Sequence, residues 1–146
     1  MWLKFVVFFV ALVSMEGVAW ALHKYVMHGF LWIIHKSHHQ KGKSFWEWND
    51  LYFMFFAVVG SCLMIFGAQA GPDLRFYAGC GITAYGFLYL LVHDILIHQR
   101  IRLKYKPANR YLDALKRAHK DHHRITGKHG TVSFGMLWVD KKYFRD

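Results

Sequence analysis

Residues 51–70 read LYFMFFAVVGSCLMIFGAQA, twenty consecutive positions without a formal charge. At 1.5 Å per residue a helix of this length covers about 30 Å, the thickness of a bilayer's hydrocarbon core. The stretch predicts a membrane-spanning helix. Gly71-Pro72-Asp73 then breaks the pattern, and residues 76–92 supply seventeen more uncharged positions. The two runs read as a tight helical hairpin. Upstream, residues 2–22 form a third apolar run, interrupted by Lys4 near its end and by Glu16 deeper in. Its apolar pattern continues through Tyr25, Val26 and Met27 to Ile33 and Ile34, and no small-residue cleavage site follows. It therefore reads as a retained helix rather than a signal peptide. Glu16, costly in lipid, is expected to face the bundle interior and pair with a polar group there.

The 146 residues suffice for one domain, 1–146, and 55% of them are hydrophobic. A soluble domain of this size does not easily bury so much apolar surface, whereas lipid covers it without difficulty. The expected fold is all-α: an integral-membrane bundle of about three transmembrane helices, possibly four, reaching into a histidine-rich two-metal site. Of 19 Lys and Arg residues, all but Lys4 and Arg75 fall in 23–50 and 93–146, which three spans place on one side. The positive-inside rule makes that side cytoplasmic. Trp46, Trp48 and Tyr52 fit an interfacial aromatic belt. The piece 132–139 is too short to cross and is expected to lie at the interface. Small residues in the third span, among them Gly79, Gly81 and Gly86, permit close helix contact.

All eleven histidines lie on the basic side, and ten form four groups. His23 and His28 are spaced H-x4-H, as are His93 and His98; His35, His38 and His39 are spaced H-x2-H-H, as are His119, His122 and His123. The two patterns recur in the same order on either side of the hairpin. On a helix, H-x2-H-H keeps its rings within roughly 100° of arc, so they can converge on one centre or straddle two. An i,i+5 pair stands about 140° apart on a straight helix. Each H-x4-H pair is thus expected to serve different metals, or different sides of a two-metal core, unless the helix is distorted. Ten imidazoles exceed one metal's needs and suffice for two. Imidazole suits iron, copper, nickel and zinc; zinc supports Lewis-acid chemistry, whereas a dinuclear iron centre can also activate O2. A single histidine near a helix end is more often a cap or a solvated side chain, and His129 is read so. The doubled pattern is not explained that way.

Asp94, Asp121, Glu47 and Asp50 are candidates to accept the second N–H of metal-bound imidazoles. Cys62 and Cys80 sit singly in apolar runs, which excludes a cysteine zinc site. The +10 charge alone suggests nucleic acid, but topology and lipid contact account better for Arg100, Arg102, Lys104, Lys106, Arg110, Lys116, Arg117 and Lys120. Docking of an acidic electron carrier is a further use for that field. Haem ligation needs only one or two axial histidines inside a bundle. A metal carrier would hold its ligands near the bilayer midplane.

The runs HKYVMHGF from His23, HKSHH from His35, FWEWNDLY from Phe45, HDILIHQR from His93, AHKDHH from Ala118 and VSFG from Val132 resemble the bacterial β-carotene hydroxylases. Those enzymes lie within the wider membrane fatty-acid hydroxylase superfamily. The resemblance covers nearly the whole chain. It implies oxygen insertion from O2 at C3 of β-ionone rings, taking β-carotene through β-cryptoxanthin to zeaxanthin. It also implies two non-haem iron ions held by the ten histidines, a ferredoxin-type electron donor, and a bacterial cytoplasmic membrane location. A fatty-acid or sterol hydroxylase, a desaturase or a carotenoid ketolase would share the metal core and differ in cavity shape.

Overall fold

The computed structural model describes residues 1–40, 44–104 and 109–144, all of them helix or loop. Among them no strand forms, and three helices are long and apolar enough to cross a membrane. The first runs from Trp2 to Phe30 with a kink at Gly29, where the backbone leaves the helical region (φ −103°, ψ −126°): α1 (Trp2–Ala21), then a π-helical segment (Leu22–Phe30). A short α2 (Trp32–His39) follows. α3 (Asp50–Ala68) and α4 (Leu74–Tyr89) form the expected hairpin, and α4 passes into a second π-helical segment (Leu90–Ile97). α5 (Arg110–His123) and a 3₁₀ turn (Lys141–Tyr143) complete the chain.

The hairpin turn has a local cause. Gly71 takes φ +94°, a conformation that glycine adopts freely, and the Asp73 carboxylate caps α4 by accepting from the backbone N–H of Arg75 at 2.8 Å. α4 is the central helix and packs on both α1 and α3. Glycines permit the approach on each side: a Cβ at Gly79 would come within 2.7 Å of the Gly60 carbonyl of α3, and one at Gly81 within 2.5 Å of the Phe8 carbonyl of α1.

The first and third spans are longer than the bilayer needs. Counting about twenty residues from Trp2 and from Leu74 reaches the neighbourhood of His23 and of His93. The π segments therefore begin where the hydrocarbon ends, and the histidines emerge at the membrane edge. α5 is amphipathic: it buries Ala114, Leu115, Ala118, His119 and His122, and Asn109 caps it by accepting from Tyr111 N–H at 2.9 Å.

Residues 132–139 fold back onto α1 and α4. Met136 is buried against Met15 and Tyr85. One carboxyl oxygen of Glu16 accepts the backbone N–H groups of Met136, Leu137 and Trp138 at 2.8–2.9 Å, and the other accepts the Tyr85 hydroxyl at 2.8 Å. The polar partner expected for Glu16 is thus the tail itself. Lys106 lies outside the described residues.

Candidate metal centre

The H-x4-H pairs are set by the π segments. A π turn closes its hydrogen bond at i→i+5, as from the His98 N–H to the His93 carbonyl at 2.9 Å, so residues five apart stack on one face. The α-helical expectation that each pair divides between different metals does not hold here. His23 and His28 face one centre together, and His93 and His98 face another. The H-x2-H-H groups, on ordinary α-helix, straddle the two.

The first centre gathers His23, His28, His35, His39 and His122; the second gathers His38, His93, His98 and His119. Within each, the nitrogens that face inward all lie within 4.8 Å of one another. His123 lies between the groups, its ring centroid 4.4 Å from His39, 4.5 Å from His119 and 4.9 Å from His98. Its Nε2 is buried without a hydrogen-bond partner, as is that of His38.

The protons on these rings are placed by their outer partners. In the first centre every Nδ1–H donates outward: His23 to the Phe134 carbonyl at 2.9 Å, His28 to Lys128 at 3.0 Å, His39 to Ile125 at 3.0 Å, His122 to Val132 at 2.8 Å, and His35 to Asn49 Oδ1 at 2.7 Å. A carbonyl only accepts, so the proton sits on Nδ1 and the Nε2 lone pair points inward. The Nε2 atoms nevertheless approach closely: His23 to His35 at 3.1 Å, His28 to His122 at 3.2 Å, His39 to His122 at 3.1 Å. Lone pairs facing one another at such distances repel unless a cation lies among them. For metal–nitrogen bonds of about 2.0–2.1 Å, neighbouring nitrogens stand about 3 Å apart. The donor set fits a first-row transition metal. Burial, with the mutual repulsion of the rings, keeps them neutral: His35 and His122 are held down to about 3, His39 and His98 to about 4, and His123 to about 2.

The surroundings of the second centre differ. His38 Nδ1–H donates to Glu47 at 2.8 Å and His93 Nδ1–H to Asp94 at 2.7 Å. Arg100 ties these carboxylates together, 3.1 Å from Glu47, 2.8 Å from Asp50 and 3.9 Å from Asp94. Of the four acidic candidates, Glu47 and Asp94 touch histidines. Asp50 acts through Arg100 and by accepting the Glu47 N–H. Asp121 belongs elsewhere: it accepts from the Tyr143 hydroxyl at 2.9 Å and pairs with Arg124 at 3.4 Å, because α5 turns that position away from the rings. His129 is exposed.

Sequence reasoning missed Asn49, Arg100 as an ion-pair hub, and the tail carbonyls. Only Asn49 carried a signal, a polar residue between two carboxylate candidates at the start of a span. Backbone carbonyls leave none. Among the basic residues, Arg100 and Arg117 are used internally, Arg117 Nε–H donating to the Tyr143 carbonyl at 2.8 Å, while Arg102, Lys104 and Lys120 are exposed.

Fold and site together define a helical membrane protein with two adjoining, imidazole-lined, metal-sized sites at the end of its spans. The chain matches the fatty acid hydroxylase family over residues 8–143. It is 45% identical over 131 residues to a protein named β-carotene hydroxylase from Pantoea ananas, covering 90% of this chain and 74% of that one. It is 39% identical over 142 residues to a β-carotene hydroxylase from Paracoccus sp. (strain PC1), covering 94% and 87%. A chloroplastic β-carotene 3-hydroxylase of Arabidopsis thaliana is 36% identical over 135 residues, 90% of this chain and 44% of that one. No solved structure matches. The chain belongs to the fatty acid hydroxylase family.

Proposed function

We propose that this chain hydroxylates C3 of the β-ionone rings of a carotenoid, taking β-carotene through β-cryptoxanthin to zeaxanthin at a centre of two non-haem iron ions. The reading that the ten histidines hold those ions rests on the two converging groups, on His123 between them and on the inward lone pairs of the first centre. The reaction places one atom of O2 in a C–H bond and reduces the other to water, using two electrons and two protons. A ferredoxin-type carrier supplies the electrons from the cytoplasmic side of a bacterial inner membrane, a placement supported by the concentration of Lys and Arg beside the histidines.

When bound, the metal pair supplies O2 activation. The protein's own residues do the rest. Nδ1–H donors fix the orientation of His23, His28, His35, His38, His39, His93 and His122 and turn their lone pairs inward. Glu47 and Asp94 bring negative charge to the second centre, where Arg100 holds both in position. Apolar walls from α1, α3 and α4 hold a hydrocarbon ring beside the histidines and keep water out. No side chain is required as nucleophile or general base.

The observation that carries this reading is the union, in one chain, of two imidazole-lined sites and 45% identity to a protein named β-carotene hydroxylase. Cells that make β-carotene and express the chain are expected to accumulate first monohydroxylated and then dihydroxylated pigment, resolved by chromatography. Purified protein is expected to carry about two irons per chain and no Soret band. His122→Ala is expected to abolish conversion while the protein still inserts. Unchanged pigment with the wild-type chain and an electron donor present, or full conversion by a variant lacking both His122 and His123, overturns it.

A further inference from the structure

Three cavities lie end to end between the lipid and the histidines. The innermost, about 50 Å³, is lined by His23, His35, His93 and His119 together with Met27 and Tyr89. The middle one, about 60 Å³, shares Ala19, Met27 and Tyr89 with it and is lined by residues of α1, the π segment that follows it, α3 and α4. The outermost, about 170 Å³, shares Phe53, Phe56, Ile82 and Gly86 with the middle one. It opens sideways between α3 and α4, where Ala57 and Phe87 are exposed.

Apart from Ser61 and Thr83 in the outermost cavity and Asn49 and the histidines in the innermost, the walls are apolar or aromatic. The Tyr85 hydroxyl is engaged with Glu16 at 2.8 Å, and that of Tyr52 donates to the Leu31 carbonyl at 3.4 Å. The Tyr89 ring stacks against His93 at 4.4 Å on one side and Phe53 at 6.3 Å on the other, linking channel wall to site. A carboxylate carried through the middle cavity would be buried without a partner, whereas a hydrocarbon ring would not. Met15 and Met27 line the narrow part, the side-chain type that re-packs most readily around an incoming group.

Gly86 stands where the outer and middle cavities join. Unlike Gly79 and Gly81, it is not pressed by a neighbouring backbone: a Cβ there would meet nothing nearer than Phe53 Cε2, at 3.7 Å. Helix packing does not require its missing side chain, and the junction stays open because of it.

We infer that the cleft between α3 and α4 at Gly86 is the lateral doorway by which the ring end of a long apolar polyene passes from the bilayer to the metal centre, with Gly86 setting the girth of what enters. The identity of the ligand rests on the carotenoid reading above. The test is full-length protein from β-carotene-producing cells, purified with a chelator so that pigment retention is read apart from turnover. Wild type carries bound pigment by absorbance per chain, and Gly86→Leu and Ala57→Trp reduce it about tenfold or more. Val58→Trp, on the lipid-facing surface beside the cleft, retains it. In metal-loaded samples conversion falls in parallel, with iron content and helical circular dichroism unchanged. If Gly86→Leu loses iron and helicity, Ala57→Trp decides, since Ala57 is exposed at the mouth. Wild-type pigment and conversion in Ala57→Trp overturn the doorway. A wild-type chain that forms no hydroxylated product while Ala57→Trp still blocks pigment overturns the reaction instead and supports the doorway.

Discussion

A neutral imidazole offers one lone pair, and the position of its proton decides where that lone pair points. In the first centre the proton is fixed by four backbone carbonyls and Asn49; in the second, two rings are fixed by carboxylates. Two ions held here would be unequal, because only the second has anionic partners behind its ligands. Glu47→Gln is expected to weaken metal at the second centre by about 10–100-fold and leave the first little changed, as read by chelator competition that resolves two binding steps. The histidines also set a pH dependence. His35 and His122 titrate at about 3 and His39 and His98 at about 4 in the folded chain, against the ordinary 6.5 when unfolded. A lowered folded value means that the unfolded chain binds protons which the folded chain refuses. Stability is therefore full above about pH 6.5 and falls as pH drops from there toward 4, by up to about 1.4 kcal/mol per pH unit for each such ring. Thermal unfolding of metal-free protein is expected to show a midpoint that falls between pH 7 and pH 5; a flat profile contradicts it.

At the level of elements, two devices hold the site together. The π segments convert i,i+5 spacing into a shared face. The Glu16 clasp fixes the tail whose carbonyls orient His23, His28, His39 and His122. Glu16→Ala leaves three backbone N–H groups without that acceptor and is expected to cost on the order of 3 kcal/mol. Faster proteolysis within residues 124–140 and reduced iron content report it, and Glu16→Gln, which keeps an acceptor oxygen, is expected to retain most of both. The α1–α4 contact makes a separate demand. Gly81→Leu forces a side chain against the Phe8 carbonyl and is expected to lower stability by about 1–3 kcal/mol, read as a depressed thermal midpoint in detergent.

For the whole molecule, the arrangement places both metal-sized sites at one end of a three-span bundle, beside the basic segments. A fluorescent reporter fused to the C-terminus is expected to fold and emit, as it does only on the cytoplasmic side; an active periplasmic reporter at the same place contradicts the proposed orientation. Much of this architecture was legible in the sequence. Length and hydropathy determined the three spans, since each must satisfy its backbone internally and match the bilayer. The Gly71-Pro72-Asp73 break determined the hairpin, and the doubled histidine spacings pointed to the two histidine groups. Three things were decided only by tertiary structure. The grouping of each H-x4-H pair on one centre depends on π-helical backbone, which residue spacing does not encode. The placement of the ring protons depends on carbonyls of the distant tail, and every residue carries one. The division of the acidic candidates, with Glu47 and Asp94 at the rings and Asp121 turned away, follows from the direction in which each helix presents its faces, a property of packing that no single segment contains.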